Sequence, residues 1–294
     1  MQIQDFQNHS TNCTTVIVKT MKQLLYLKSG DRRAGICSYV MQVIAMAKVC
    51  KDQNIPMYID FSQDMLYYKD NRTTDNVWDY YFEQPFKNVD INEYKKVECV
   101  WYQDNRSLQP DPGSSWMRYN KDSEFLRLAR SYCKEFVIIK PELIDTGDNF
   151  LKNNTNGNYL AVHKRGCDHE NRNHFKLDDY FRETDKYVDQ YDQLLICSDE
   201  QYSVESYRER YGKKVISYNS VRETNPSEAV AGAHFRNTGN NFVYNNGRDC
   251  IIETYLMAKS KLLLKTVSNV SSFAVMLGQN LDYIWIDENY GCPY

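Results

Sequence analysis

The chain has 294 residues, 42% of them hydrophobic and 26% charged, with a formal net charge of −3. A composition this near the globular average excludes a disordered or fibrous chain, and the length leaves room for two ordinary domains. The slight negative charge, with no basic stripe in view, argues against a nucleic-acid partner, and the lack of any run of about 18 apolar residues argues against a membrane span. The nine cysteines are scattered without a CxxC pair, an odd number that suits reduced thiols. The polar N-terminus lacks the basic-then-apolar order of a secretory signal, so the expected compartment is the cytoplasm.

Gln23–Lys28 reads as a short strand, followed by a polar turn through Gly35. Ile36, Val40, Val43, Ile44, Ala47 and Cys50 then recur at helical spacing as one apolar stripe, which Ile55-Pro56 ends. Met57–Asp60 is the next strand, completing a βαβ unit with a parallel pair. Residues 61–121, rich in Tyr, Asn and Asp and containing the turn Pro110-Asp111-Pro112-Gly113, predict acceptor-facing loops and short helices. Ser123 is placed to cap a helix running to about Phe136, and Val137–Pro141 closes the first half. The polar stretch 153–158 marks the expected boundary, giving domains 1–155 and 156–294.

The second half alternates more regularly. Strands are predicted at Tyr159–His163, Gln193–Ser198, Lys214–Tyr218, Lys261–Thr266 and Tyr283–Ile286. Helices are predicted at Leu177–Val188, Glu200–Tyr211, Asp249–Ala258 and after Ser271, with a long Asn/Gly-rich loop over 219–247. Strand–helix alternation in both halves predicts two α/β domains with parallel sheets. Ligands in such folds lie beyond the carboxyl ends of the strands, so the loops after His163, Ser198, Tyr218 and Thr266 are expected to converge.

The first strand of that half runs into Lys164-Arg165-Gly166-Cys167-Asp168-His169-Glu170. An arginine fork at a sheet's carboxyl edge suits a diphosphate, because two parallel charge-assisted hydrogen bonds match its oxygens. Asp168 is placed to orient that arginine or to cap the next segment. The bland reading of the same residues is a solvated charged turn.

His163-Lys164-Arg165-Gly166-Cys167-Asp168 resembles the His-x-Arg-Arg-x-Asp motif of the α1,2-, α1,6- and protein O-fucosyltransferase superfamily. The segment Gly247–Ser260, continuing as Lys261–Ser272, is similar to that family's Asp-bearing helix, the strand after it and the serine turn opening its last helix. Leu195–Glu200 resembles the strand ending in Thr/Ser-Asp-Asp/Glu between them. The resemblance covers most of 159–286. It departs at Gly166, where the motif has a second arginine, and the first half lacks the family's Gly-x-Gly-Asn loop.

The resemblance implies a GT-B-like fold, two Rossmann-like domains facing each other across a cleft, in an inverting glycosyltransferase that needs no metal. It implies transfer of fucose from GDP-fucose to a glycan hydroxyl. Arg165 would bind the β-phosphate and His163 would lie near the nucleotide. Asp249 would contact base or ribose, and Ser271 and Ser272 would face phosphate from a helix N-terminus, where unpaired N–H groups favour anions. The candidate bases are Glu170, Asp168 and Asp199, with Asp199 read first as a donor-side or helix-capping residue.

His234, in the long loop, is a donor or acceptor contact or an ordinary surface residue. Arg32-Arg33 reads as a solvated turn, with diphosphate contact as its other reading. His163, Cys167, His169 and His174 match no standard zinc spacing. The aromatic run Trp78, Tyr80, Tyr81 and Phe82 reads first as core, with a sugar-stacking platform as its other reading. The missing second arginine leaves open a transferase of the same fold using a UDP- or dTDP-sugar, and a non-catalytic glycan- or nucleotide-sugar-binding protein is the reading from another class.

Overall fold

The computed structural model describes residues 22–28, 35–62, 74, 76–87, 90–100, 119, 121–166, 176–224 and 242–286. In the first half, β1 (Lys22–Lys28) is the centre of a parallel sheet ordered β2-β1-β4, with β2 at Met57–Asp60 and β4 at Tyr94–Val100. Helix α1 (Ile36–Gln53) connects β1 to β2 and ends on Asn54, whose left-handed backbone (φ 50°) returns its N–H to Cys50 and Lys51 carbonyls. Asparagine tolerates that conformation better than most residues do. The single apolar stripe expected for α1 is too narrow. Tyr39, Met41, Gln42 and Met46 are buried as well, because the helix is also covered by α3 (Glu124–Phe136) and by a helix of the second half, Asn269–Leu277.

Within 61–121, the described residues hold more regular structure than loops and short helices. Besides α2 (Trp78–Tyr81) and β3 (Phe82–Glu83), which pairs antiparallel with β5 (Ile138–Ile139), there is the seven-residue strand β4. Its sequence, Tyr-Lys-Lys-Val-Glu-Cys-Val, hides it: Lys95, Lys96 and Glu98 are exposed and even Val97 is 38% accessible. The first half also continues past Pro141 into an unexpected helix, α4 (Pro141–Asn154). Proline suits the first helical position. Leu143 and Gly147 of α4 are buried and Ile144, Phe150 and Leu151 pack partly against the core, so an apolar stripe at helical spacing is present, set among Gly, Asp and Asn residues that are weak helix formers. The aromatic run is core as expected, with Trp78, Tyr81 and Phe82 at 0% exposure.

The second half contributes β6 (Tyr159–Lys164), α5 (Leu177–Asp185), β7 (Gln193–Ser198), α6 (Gln201–Tyr211), β8 (Val215–Ile216), α7 (Phe242–Ala258), β9 (Leu262–Lys265), α8 (Asn269–Leu277) and β10 (Asp282–Trp285). Its strands form an all-parallel sheet ordered β10-β9-β6-β7-β8. The winding direction reverses between β6 and β9. Helices α5 and α6 therefore cover one face and α7 and α8 the other. β6 reads this out residue by residue: Leu160 and Val162 join the cluster with Tyr180, Val204 and Tyr207, whereas Tyr159 and Ala161 join the one with Ile252, Leu256 and Phe273. Helix α7 starts at Phe242, well before the expected Asp249, and α8 starts at Asn269 with the Ser268 hydroxyl accepting from the Val270 N–H.

The core on the α7/α8 side is continuous with that of the first half. Tyr81 donates its hydroxyl to the Tyr244 carbonyl at 2.9 Å and stacks on that ring. Arg130 of α3 donates to the carbonyls of Val275 and Leu281 at 3.1 and 3.0 Å. Helix α4 lies so close to α7 that a Cβ at Gly147 would come 2.6 Å from the Tyr255 ring. Replacing Gly147 with leucine, a better helix former, should therefore destabilise the chain by about 1–3 kcal/mol through overpacking. Urea denaturation of the variant beside the native chain measures this.

Candidate functional site

Five segments meet at the carboxyl edge of the five-stranded sheet, next to the point where its winding reverses. β6 supplies His163 and, one position beyond its end, Arg165. β7 supplies Ser198 and, one position beyond its end, Asp199, and the loop after β8 supplies Ser220 and Val221. Helix α7 adds Asn246, Asp249, Cys250 and Glu253, at the i, i+3, i+4 and i+7 positions of one helical face, and α8 adds Val270 from its first turn. Together they line an open pocket of about 400 Å³. The convergence expected of the loops after His163, Ser198, Tyr218 and Thr266 is the arrangement found.

Asp199 organises the β6 side. One carboxylate oxygen lies 3.1 Å from Arg165 Nη1, and the other accepts the Gly166 N–H at 2.8 Å. Both side chains of the ion pair are largely covered, at 17% and 13% exposure, so the attraction is less screened than at the surface. A Cβ at Gly166 would fall 2.2 Å from Glu200 Oε1 and nearer still to its carboxyl carbon, so a side chain there would displace the Glu200 carboxylate. The Glu200 carboxylate is held in place by the Lys164 ammonium and by the Ser203 hydroxyl, which donates at 2.8 Å. An added side chain would have to break those contacts.

His163 is neutral: burial first, and the Arg165 charge second, lower its pKa to about 3. The α7 wall is acidic. Asp249 accepts from Arg248 at 2.8 and 3.0 Å and from the Val221 N–H at 3.1 Å, and burial raises its pKa. Glu253 accepts from the Ser220 hydroxyl at 2.6 Å and from Arg222 at 2.8 Å. Burial outweighs the attraction of Arg222 and raises the Glu253 pKa to about 7. Arg222 is 6% exposed and also donates to the carbonyls of Ser198, Tyr218 and Ser220, which fixes the loop carrying Ser220 and Val221.

Of the residues singled out in the sequence, His163, Arg165, Asp199 and Asp249 come together around this pocket. Ser271 and Ser272 are fully buried. The Ser271 hydroxyl donates to the Thr266 and Ser268 carbonyls at 3.1 and 3.3 Å, so it serves the turn before α8, and Val270 is the residue of the helix's first turn that reaches the pocket. Asp168, Glu170, His234, Cys167, His169, His174, Arg32 and Arg33 lie outside the described residues. Glu253, Asn246 and Ser220 escaped the sequence reading. Glu253 was within reach of it, since it follows Asp249 by one helical turn in the segment already quoted. Among the described residues, no three His, Cys, Asp or Glu side chains are grouped as a metal site, and no helix is long and apolar enough to cross a membrane.

The architecture is GT-B-like, built on two Rossmann-like parallel sheets, and it is the fold of known fucosyltransferases. The α-1,6-fucosyltransferase NodZ, in a crystal soaked with GDP-fucose, is similar at a TM-score of 0.54 and 13% identity, over 87% of this chain and 92% of that one. Fucosyltransferase NodZ from Bradyrhizobium gives 0.54 at 11% identity, over 88% and 92%. POFUT1 in complex with GDP-fucose gives 0.53 at 8% identity, over 90% and 97%. An arginine-to-lysine mutant of Arabidopsis thaliana FUT1 in complex with GDP gives 0.53 at 11% identity, over 90% and 70%. No family model and no curated protein sequence matches the chain.

The elevated Glu253 carboxyl has a measurable consequence. Its folded pKa of about 7 exceeds the unfolded value of about 4.3, so the folded chain binds the extra proton between them. That stability is fully present below the unfolded pKa and is lost as pH rises through the folded one. Glu253→Gln, which keeps an oxygen for Ser220 and Arg222, should remove the loss. Relative to the native chain, the variant should gain about 3 kcal/mol between about pH 4 and about pH 8, read from urea midpoints across a pH series.

Proposed function

We propose that this chain is an inverting glycosyltransferase acting in the cytoplasm, with GDP-fucose as donor and a glycan hydroxyl as acceptor. The observation that carries the reading is Arg165. It is steadied by Asp199 at the carboxyl edge of the sheet and lines the same pocket as Asp249 and the start of α8. A guanidinium there meets a diphosphate with paired hydrogen bonds. As the glycosidic bond breaks, the departing nucleoside diphosphate gains negative charge, so a cation already held in place favours the transition state over the ground state.

The rest of the pocket fits the same orientation of donor. Asp249 and Glu253 on the α7 wall suit the N–H and hydroxyl donors of a base and ribose, and would repel phosphate. The first turn of α8 directs a helix N-terminus toward the diphosphate. Neutral His163 lies at the nucleotide without adding charge. In this reading the diphosphate's cation is Arg165, with no metal assigned. The acceptor's base is assigned to Asp168 or Glu170, because Asp199 is already committed to Arg165 and the Gly166 N–H. His234 and the backbone at Ser271 are assigned to the donor side, and the domain boundary to 155/156; the Ser272 N–H is taken by the Ser268 carbonyl at 2.9 Å.

One observation favours a second reading, a different nucleotide sugar: Glu200 fills the space beside Gly166 where the motif's second arginine would stand. Thermal-shift measurements with GDP, UDP and dTDP separate the two. GDP at a hundred times its dissociation constant should stabilise the chain by about 2.7 kcal/mol, and UDP and dTDP should not. Stabilisation by UDP alone would reject the fucose donor. Arg165→Ala should cut kcat/KM for GDP release by about 10²–10³-fold; unchanged turnover would reject the role given to that residue.

A further inference from the structure

We propose that Cys37 and Cys250 form a thiol pair that closes to a disulfide in the presence of a small disulfide oxidant and thereby alters the pocket. Their sulfurs lie 3.7 Å apart, joining α1 of the first half to α7 of the second. A disulfide bond is about 2.0 Å long, so the two sulfurs have only a short distance left to close. The two sides differ in access. Cys250 lines the pocket and is partly exposed, whereas Cys37 is 2% exposed behind it, with its sulfur also 3.9 Å from the Thr254 hydroxyl. The other described cysteines, Cys50, Cys99, Cys133 and Cys197, are buried, and none of them lines the pocket.

This access gives the order of steps. Cys250 loses its proton and attacks one sulfur of the small disulfide, which expels one small thiolate and leaves a mixed disulfide on Cys250. Cys37 then loses its proton and attacks the Cys250 sulfur, forming the Cys37–Cys250 bond and expelling the second small thiolate. Two electrons pass from the protein to the oxidant, and the two protons released are taken up by the departing thiolates or by solvent. The hydrogen bond shared with Cys37, and burial after it, hold the Cys250 thiol well above its ordinary pKa. The exchange is therefore slow at neutral pH, and the pair stays reduced unless oxidant persists. Closure draws α7 toward α1, and α7 carries Asn246, Asp249 and Glu253.

The test incubates the full chain with oxidised glutathione in mildly alkaline buffer, blocks the remaining thiols and maps peptides without reduction. The expected product is a Cys37–Cys250 cross-linked peptide, lighter by two hydrogens and reversed by dithiothreitol. In Cys37→Ser the reaction should stop with glutathione on Cys250. No cross-link, Cys250 joined to another cysteine, or equal glutathione adduct in the native chain and Cys37→Ser would overturn the pair. The oxidised chain should bind GDP several-fold more weakly than the reduced one, and equal affinity would overturn the effect on the pocket. This last measurement rests on the donor site proposed above: a reduced chain that fails to bind GDP would reject that site, while the peptide map alone still decides the thiol pair.

Discussion

A single carboxylate sets how the edge of the second sheet is used. Asp199 holds the Gly166 N–H and the Arg165 guanidinium at once, from the end of the strand next to theirs. Removing it would take a carboxylate from beside a mostly covered cation, a loss larger than that of a surface ion pair. In its presence, the arginine's conformational freedom has been given up during folding and not at the moment a ligand arrives. The backbone contact matters equally, because it fixes where the chain turns after β6 and so the direction in which Arg165 leaves the sheet.

The opposite wall depends on the first half of the chain. Helix α7 presents Asn246, Asp249, Cys250 and Glu253 to the pocket, and its other sides are packed by α1, α4 and α8. Gly147 lets α4 approach, Tyr81 bonds to the α7 backbone at Tyr244, and Arg130 reaches the carbonyls at the far end of α8. The acids of the pocket are therefore positioned by residues that never reach it. The apolar core runs without a break from one half of the chain to the other on this side.

How far the fold could be read from sequence follows from how each element is buried. The strands of the second half are covered on both faces, so β6 and β7 appear as unbroken apolar runs with sharp ends, and the position of Arg165 follows from where β6 stops. β4 exposes its lysines and leaves no alternating trace, whereas α4 has Leu143, Ile144, Phe150 and Leu151 at helical spacing, but among Gly, Asp and Asn residues that read as a turn. The site behaved in the same way. Arg165, His163 and Asp249 could be found from local motifs, but the Glu253 environment depends on Arg222, which arrives from a different loop. Ser271 and Ser272 occupy the expected turn, yet the phase of α8 turns them inward and leaves Val270 facing the pocket.

The contact between Gly166 and Glu200 also constrains the order in which this edge can change. Any side chain introduced at 166 meets a carboxylate that Lys164 and Ser203 hold in place, so an arginine placed there first would arrive in a filled space. Shortening residue 200 first opens that space, at the cost of stranding the Lys164 ammonium. The two substitutions are thus strongly non-additive, and the route from this chain to one with paired arginines runs through position 200 before position 166.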